Sequence, residues 1–135
     1  MRKIKFRCWD KENKEMLEVQ ELDYADSYDG QPMVRTTMYN DYFDTEDMIL
    51  MQYTGLKDKN GKEIYDGDIV KKETFDDTKP NYIAVSYAKV IYFEHLAGFY
   101  LVNRDNKILW EVGQDKYNIE VVSTIYENPE LLEDK

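Results

Sequence analysis

Apolar and polar residues alternate at the start of the chain: Ile4, Phe6 and Cys8 interleave with Lys3, Lys5 and Arg7, the period-two signature of a half-buried strand. Asp10-Lys11-Glu12-Asn13-Lys14 is turn-forming, and Met16, Leu17, Val19 and Leu22 follow. The pattern therefore predicts a hairpin returning through about residue 20. From Asp23 to Asp47 no period persists, and Gly30 and Pro32 interrupt a polar, Tyr-rich stretch. This reads as a long loop, less ordered than its surroundings, of the kind that in compact domains is usually functional or mobile. Residues 48–53 form a short apolar strand.

Asn60-Gly61, set between Leu56 and Ile64, predicts a hairpin with a type I′ turn, which needs positive φ at both central residues. Asp66-Gly67-Asp68 makes a second turn, Ile69-Val70 begins a strand, and residues 73–81, with Asp76, Asp77, Lys79 and Pro80, read as an exposed loop. Residues 82–93 and 99–102, on either side of Ala97-Gly98, form a β-meander. Residues 108–112 and 117–125 supply further strands, separated by Gly113-Gln114-Asp115. Asn128 is placed to cap a short helix with Pro129 at its first position, running through Leu132.

Length and composition fit this β-rich reading. At 135 residues the chain suits one domain, or one with a small appendage, burying about two-thirds of its unfolded surface. Apolar residues make up 42% and aromatics 14%, too many for a disordered chain. The formal net charge is -10, which disfavours phosphate backbones and anionic membranes and favours a neutral or basic partner. Between Glu18 and Asp47 nine carboxylates face only Arg35, so that stretch carries 1 − 9 = −8. One cysteine permits no intrachain disulfide, and the start lacks an apolar signal-peptide core. With no apolar run near the roughly 20 residues that span a bilayer, a cytoplasmic location without membrane association is expected.

Candidate chemistry is sparse. The single His95 and single Cys8 leave no zinc site of the usual kind. His95 reads as an exposed turn residue, and Cys8 shares an apolar face with Ile4 and Phe6, where thiols are usually inert. Carboxylate pairs are too abundant to mark acid-base chemistry. Asp26-Ser27-Tyr28-Asp29-Gly30 and Asp58-Lys59-Asn60-Gly61 lack the spacing and terminal Glu of a calcium loop. Tyr82, Tyr87, Tyr92 and Tyr100 suit cross-strand pairs better than base stacking, and Lys3, Lys5 and Arg7 make only a local basic stripe. No residue is nominated as catalytic, cofactor-binding or metal-ligating, and no cofactor is expected.

Three segments, MRKIKFRCWDKENKEM, MQYTGLKDKNGKEIYDGDIVK and IYENPELL, resemble in order the YopX-like proteins of bacteriophages and prophages. The middle one, from Tyr53 through Val70, is the hallmark. Departures are Cys8 where alanine is common, Asp66 where glutamate is common, and Ser123-Thr124 where a glycine-asparagine pair often stands. The resemblance implies a β-rich fold whose later part is like an SH3-type barrel, in a phage gene of uncharacterised function, and it brings no catalytic residues.

The expectation is thus a mainly β protein with minor α. Residues 1–50 form an N-terminal hairpin and acidic loop region, and residues 51–135 a small SH3-like barrel with a short C-terminal helix. The leading function is non-enzymatic protein interaction or self-assembly, with segment 18–47 facing a partner. The alternatives are nucleic-acid binding through the barrel and a carboxylate hydrolase. The N-terminal hairpin has too little core to stand alone, and a homo-oligomer joined away from residues 18–47 is expected to strengthen with salt.

Overall fold

The computed structural model describes residues 3–25, 29–75, 78–79, 81, 83–115 and 118–133. The chain forms two compact units, Met1–Tyr53 and Thr54–Lys135. Among the described residues it is mainly β, as expected, with two five-stranded antiparallel sheets and one α-helical turn, α1 (Val112–Asp115).

In the first unit β1 (Phe6–Asp10) lies between β2 (Glu15–Asp23) and β4 (Met48–Lys57), with Cys8 opposite Leu17 on one side and Leu50 on the other. The predicted hairpin is present. Its turn is held by Asp10, whose Oδ1 accepts from the Glu12 and Asn13 amides at 3.1 and 3.2 Å. Ile4 lies outside the strand and is exposed, so the apolar alternation reaches the core only at Cys8. Buried Cys8, Leu17, Val34 and Met48 form that core, lined by Val19, Leu22, Phe43 and Leu50.

The long-loop reading of residues 23–47 is corrected. Met33–Thr36 is a strand, β3, on the edge of the sheet beside β2. Val34 and Phe43 exchange both backbone hydrogen bonds, at 2.7 and 2.8 Å, and close the segment on itself. Pro32, Val34 and Thr36 are buried in alternation. The period was too short, and Thr36 too polar, to stand out among the carboxylates.

In the second unit the end of β4 runs beside β5 (Glu63–Tyr65). The hairpin at Asn60-Gly61 exists, but its turn is not type I′. Gly61 has φ +82° while Asn60 is not in the positive region, and the Gly61 amide donates to the Asp58 carbonyl at 3.0 Å. That is a three-residue loop ending in a left-handed glycine. Its cause is Asp58, whose Oδ1 accepts from the amides of Asn60 (2.8 Å) and Lys62 (2.9 Å). The other oxygen accepts from Val121 of β10 (Ile119–Thr124) at 2.8 Å. Asp68, fully buried, repeats the device by accepting from the Tyr65 amide at 2.8 Å across Gly67, φ +89°.

Strands β6 (Asp68–Phe75), β7 (Ile83–Phe93), β8 (Gly98–Val102) and β9 (Ile108–Glu111) complete the second sheet, ordered β10-β6-β7-β8-β9. Val70, Ala88, Val90, Leu101, Val112, Ile119 and Val121 fill its core with Ile64. β6 continues through Phe75, where a loop was expected from residue 73, because Lys71 to Phe75 pair residue by residue with Tyr87 to Ile83.

The SH3-like barrel expected of residues 51–135 is not closed. Closure would require the two end strands to pair, and β9 is only four residues long, is shifted in register against β8 and turns directly into α1. The expected C-terminal helix is a single 3-10 turn, Pro129–Leu132. Asn128 makes no capping bond to it, because its side chain binds Ser123 Oγ (2.6 Å) and Glu130 Oε1 (3.0 Å) instead.

Candidate functional site

The acidic segment of the first unit folds into a cleft. Each bend around it is an aspartate accepting a nearby backbone amide: Asp23 Oδ1 from Ala25 (2.8 Å), Asp29 Oδ1 from Gln31 (3.0 Å), and Asp44 Oδ1 from Glu46 (3.0 Å) and Asp47 (3.1 Å). β3 and the Val34–Phe43 bridge hold these bends together. The result is a cleft of about 580 Å³ with Asp23, Asp29, Asp44 and Glu46 on its walls and Pro32, Met33 and Tyr42 among its apolar lining. Among the described lining residues there is no Lys, Arg or His.

The one arginine of the segment, Arg35, lies against the lining residue Tyr42 and is engaged by Glu21 and Gln20. Arg35 donates from Nε (3.1 Å) and Nη2 (2.7 Å) to Glu21 Oε2 and from Nη1 to Gln20 Oε1 (3.2 Å). Its guanidinium also lies 5.9 Å from the Tyr42 ring centre. The Arg35 hydrogen bond holds the Glu21 carboxyl below the usual carboxylate range, and the hydrogen bond with Glu21 raises the Tyr42 phenol. The site therefore sets Asp23, Asp29, Asp44 and Glu46 beside an apolar lining of Pro32, Met33 and Tyr42. Among the described residues no three His, Cys, Asp or Glu side chains converge as metal ligands.

The residues weighed from the sequence lie elsewhere. His95 is exposed in the 3-10 turn Glu94–Leu96, edge-on to Phe93 at 5.8 Å. Cys8 is fully buried, and its Sγ donates to Met48 Sδ at 4.0 Å. Burial, and then the charge of Asp10, push its thiol up to about 11. Tyr92 packs on Phe99, its partner across β7 and β8, at 5.1 Å, and Tyr100 sits edge-on to Phe93 at 5.9 Å, so both build the sheet. Tyr82 and Asp26–Tyr28 of the first calcium-like stretch fall outside the described residues. In the second such stretch Asp58 spends its carboxylate on backbone amides.

Sequence reasoning missed a groove of about 510 Å³ in the second unit, lined by Val85, Tyr87, Leu109, Leu131 and Leu132. Its signals were the alternating apolar residues of β7 and the Leu131-Leu132 pair.

Among curated proteins no match is found. Two solved structures share the architecture over nearly the whole length. Protein EF1440 from Enterococcus faecalis is 29% identical with a TM-score of 0.64, covering 98% of this chain and 100% of its own. YopX from Bacillus subtilis is 24% identical with a TM-score of 0.61, covering 100% of this chain and 99% of its own. The family model described as YopX protein matches residues 5–133. The chain belongs to the YopX family.

Proposed function

We propose that this chain is an accessory protein of a phage or prophage that acts by binding rather than by catalysis, and that the acidic cleft of its first unit takes a lysine- or arginine-rich segment of a partner protein. The observation that carries this reading is that Asp23, Asp29, Asp44 and Glu46 together line a cleft with an apolar floor. A basic extended segment fits both parts. Its charged heads meet the carboxylates while its methylene stems lie on Pro32, Met33 and Tyr42. Exposed ion pairs contribute about 0.2–1 kcal/mol each, so four of them with a modest apolar contact give weak, salt-sensitive binding.

Fluorescence anisotropy with a labelled lysine-rich peptide tests the reading. Binding is expected at low ionic strength, and the double variant Asp44→Asn, Glu46→Gln should weaken it several-fold. Asn retains the acceptor that shapes the bend. A labelled single-stranded oligonucleotide of equal length is expected not to bind. Oligonucleotide binding without peptide binding would replace this reading by the nucleic-acid one, and equal peptide affinity in the double variant would remove the cleft from it.

A further inference from the structure

One face of the β6–β7 pair in the second unit is both apolar and exposed. Phe75 stands opposite Ile83, Glu73 opposite Val85 and Lys71 opposite Tyr87, and directly paired residues share a face. Phe75 is 71%, Ile83 48%, Val85 50% and Tyr87 36% exposed. The opposite face buries Val70, Ala88 and Val90 in the core. Phe75 and Ile83 thus form a knob at one end of this surface. At the other end Val85 and Tyr87 form, with Leu109, Leu131 and Leu132, the groove of about 510 Å³. A two-fold rotation can bring the projecting end of one copy against the groove of another.

We propose that this face is where two copies of the chain meet, about a two-fold axis passing beside Val85. Residues 83 and 87 are equidistant from residue 85, so rotation places Ile83 of each copy against the Tyr87 groove of the other, and Phe75 over the stem of the other's Lys71. The same rotation brings the Lys71 end of each copy toward the Glu73–Phe75 end of its mate. Within each copy Lys71 Nζ lies 3.6 Å from Glu73 Oε1 and 3.8 Å from Glu120 Oε2, so the carboxylates at this border are partly compensated.

The area agrees. From their exposed fractions the four knob and groove residues present about 400 Å² of side chain per copy. That is about half of the roughly 800 Å² per partner in a standard interface, close to the apolar share such interfaces carry. The face is built by residues of the second unit. Each copy carries a formal net charge of -10, whose repulsion added salt screens, so salt favours the pair.

Sedimentation velocity of the full chain at low and high salt tests the proposal. The wild type should be dimeric in the micromolar range and more so at high salt. Val85→Glu, at a half-exposed position, should raise the dissociation constant about a hundredfold, with an unchanged circular dichroism spectrum. The double variant Asp44→Asn, Glu46→Gln, which probes the acidic cleft, should leave the dimer intact and so separates the two readings. Val85→Cys gives a positive signature, because the two thiols meet at the axis and diamide should link the chains covalently. The wild type, with only the buried Cys8, should not cross-link. A monomeric wild type at high salt and high micromolar concentration, a dimer unaffected by Val85→Glu, or a Val85→Cys dimer that fails to cross-link would each overturn the assignment.

Discussion

Replacing Asp58 by alanine should destabilise the second unit by about 3 kcal/mol. The carboxylate is 7% exposed and accepts three backbone amides, two within its own turn and one from Val121 in β10, sixty-three residues along the chain. Val121 is itself buried, so its amide would be left without an acceptor. Losing a hydrogen bond to a charged group in that setting costs about 1.5–3 kcal/mol. The amides of Asn60 and Lys62 lie in an exposed turn and regain water, so their loss costs about 0.5–1 kcal/mol each. Relief from burying a carboxylate offsets part of the sum. With a urea m-value of about 1–2 kcal/mol per molar, the midpoint should fall by about 2 M.

Asp58→Asn should fall between. It keeps an acceptor for the turn amides but turns an amide donor toward the Val121 N–H. Urea unfolding of the three proteins, with hydrogen exchange read at residues 119–124, measures both parts: faster Val121 exchange should accompany the loss of stability. An alanine variant within about 1 kcal/mol of wild type, or unchanged exchange at Val121, would refute the argument that one side chain joins the turn to β10.

The other predictions concern single groups. Gly61→Val should cost about 1–2 kcal/mol, because at φ +82° a Cβ would meet no atom within 4 Å and only backbone strain is at stake; an unmoved urea midpoint would contradict this. Cys8 in the folded protein should react with a thiol reagent at pH 8 only as fast as the first unit opens, and rapid stoichiometric labelling would count against its burial. Because folding raises that thiol from 9.0 to about 11, the stability it contributes is complete below pH 9 and is lost as pH rises through about 11. Glu21 is lowered by Arg35, so the stability this pair contributes is present above the ordinary carboxylate value near 4.5 and disappears as pH falls through the lower folded value. Wild type and Glu21→Gln should then differ at pH 7 and converge in strong acid, and a constant gap across that range would exclude the pair as the cause.

Strands with a sustained alternation were legible in the sequence. β7 shows it plainly, since more and less buried residues alternate along it, and β1 was legible from its basic and apolar residues although Cys8, Trp9 and Asp10 are all buried. Elements whose stability comes from partners were not. β3 spans four residues and draws its order from β2 on one side and Phe43 on the other. The outer half of β6 is Lys71-Lys72-Glu73-Thr74, polar in composition and extended because β7 pairs with it. The hairpin at Asn60-Gly61 was visible as a dipeptide, but its turn type was decided by a side chain two residues earlier. For the cleft, the acidity of residues 18–47 was evident from composition. That Asp23, Asp29, Asp44 and Glu46 converge depends on the β2–β3 register and one isolated bridge, which no local pattern encodes.

Asp10, Asp58 and Asp68 are all buried, and all accept backbone amides at turns. Each sits in a segment by which the family is recognised. A substitution at any of the three should cost folding stability whatever the protein binds. A comparison of relatives that ranks positions by invariance would therefore bring these aspartates to the top, and a reader looking for an acid catalyst would find three. On the proposed reading, partner choice would instead be tuned on the walls of the cleft and the exposed face of β6 and β7, where a substitution leaves these turn-holding hydrogen bonds untouched.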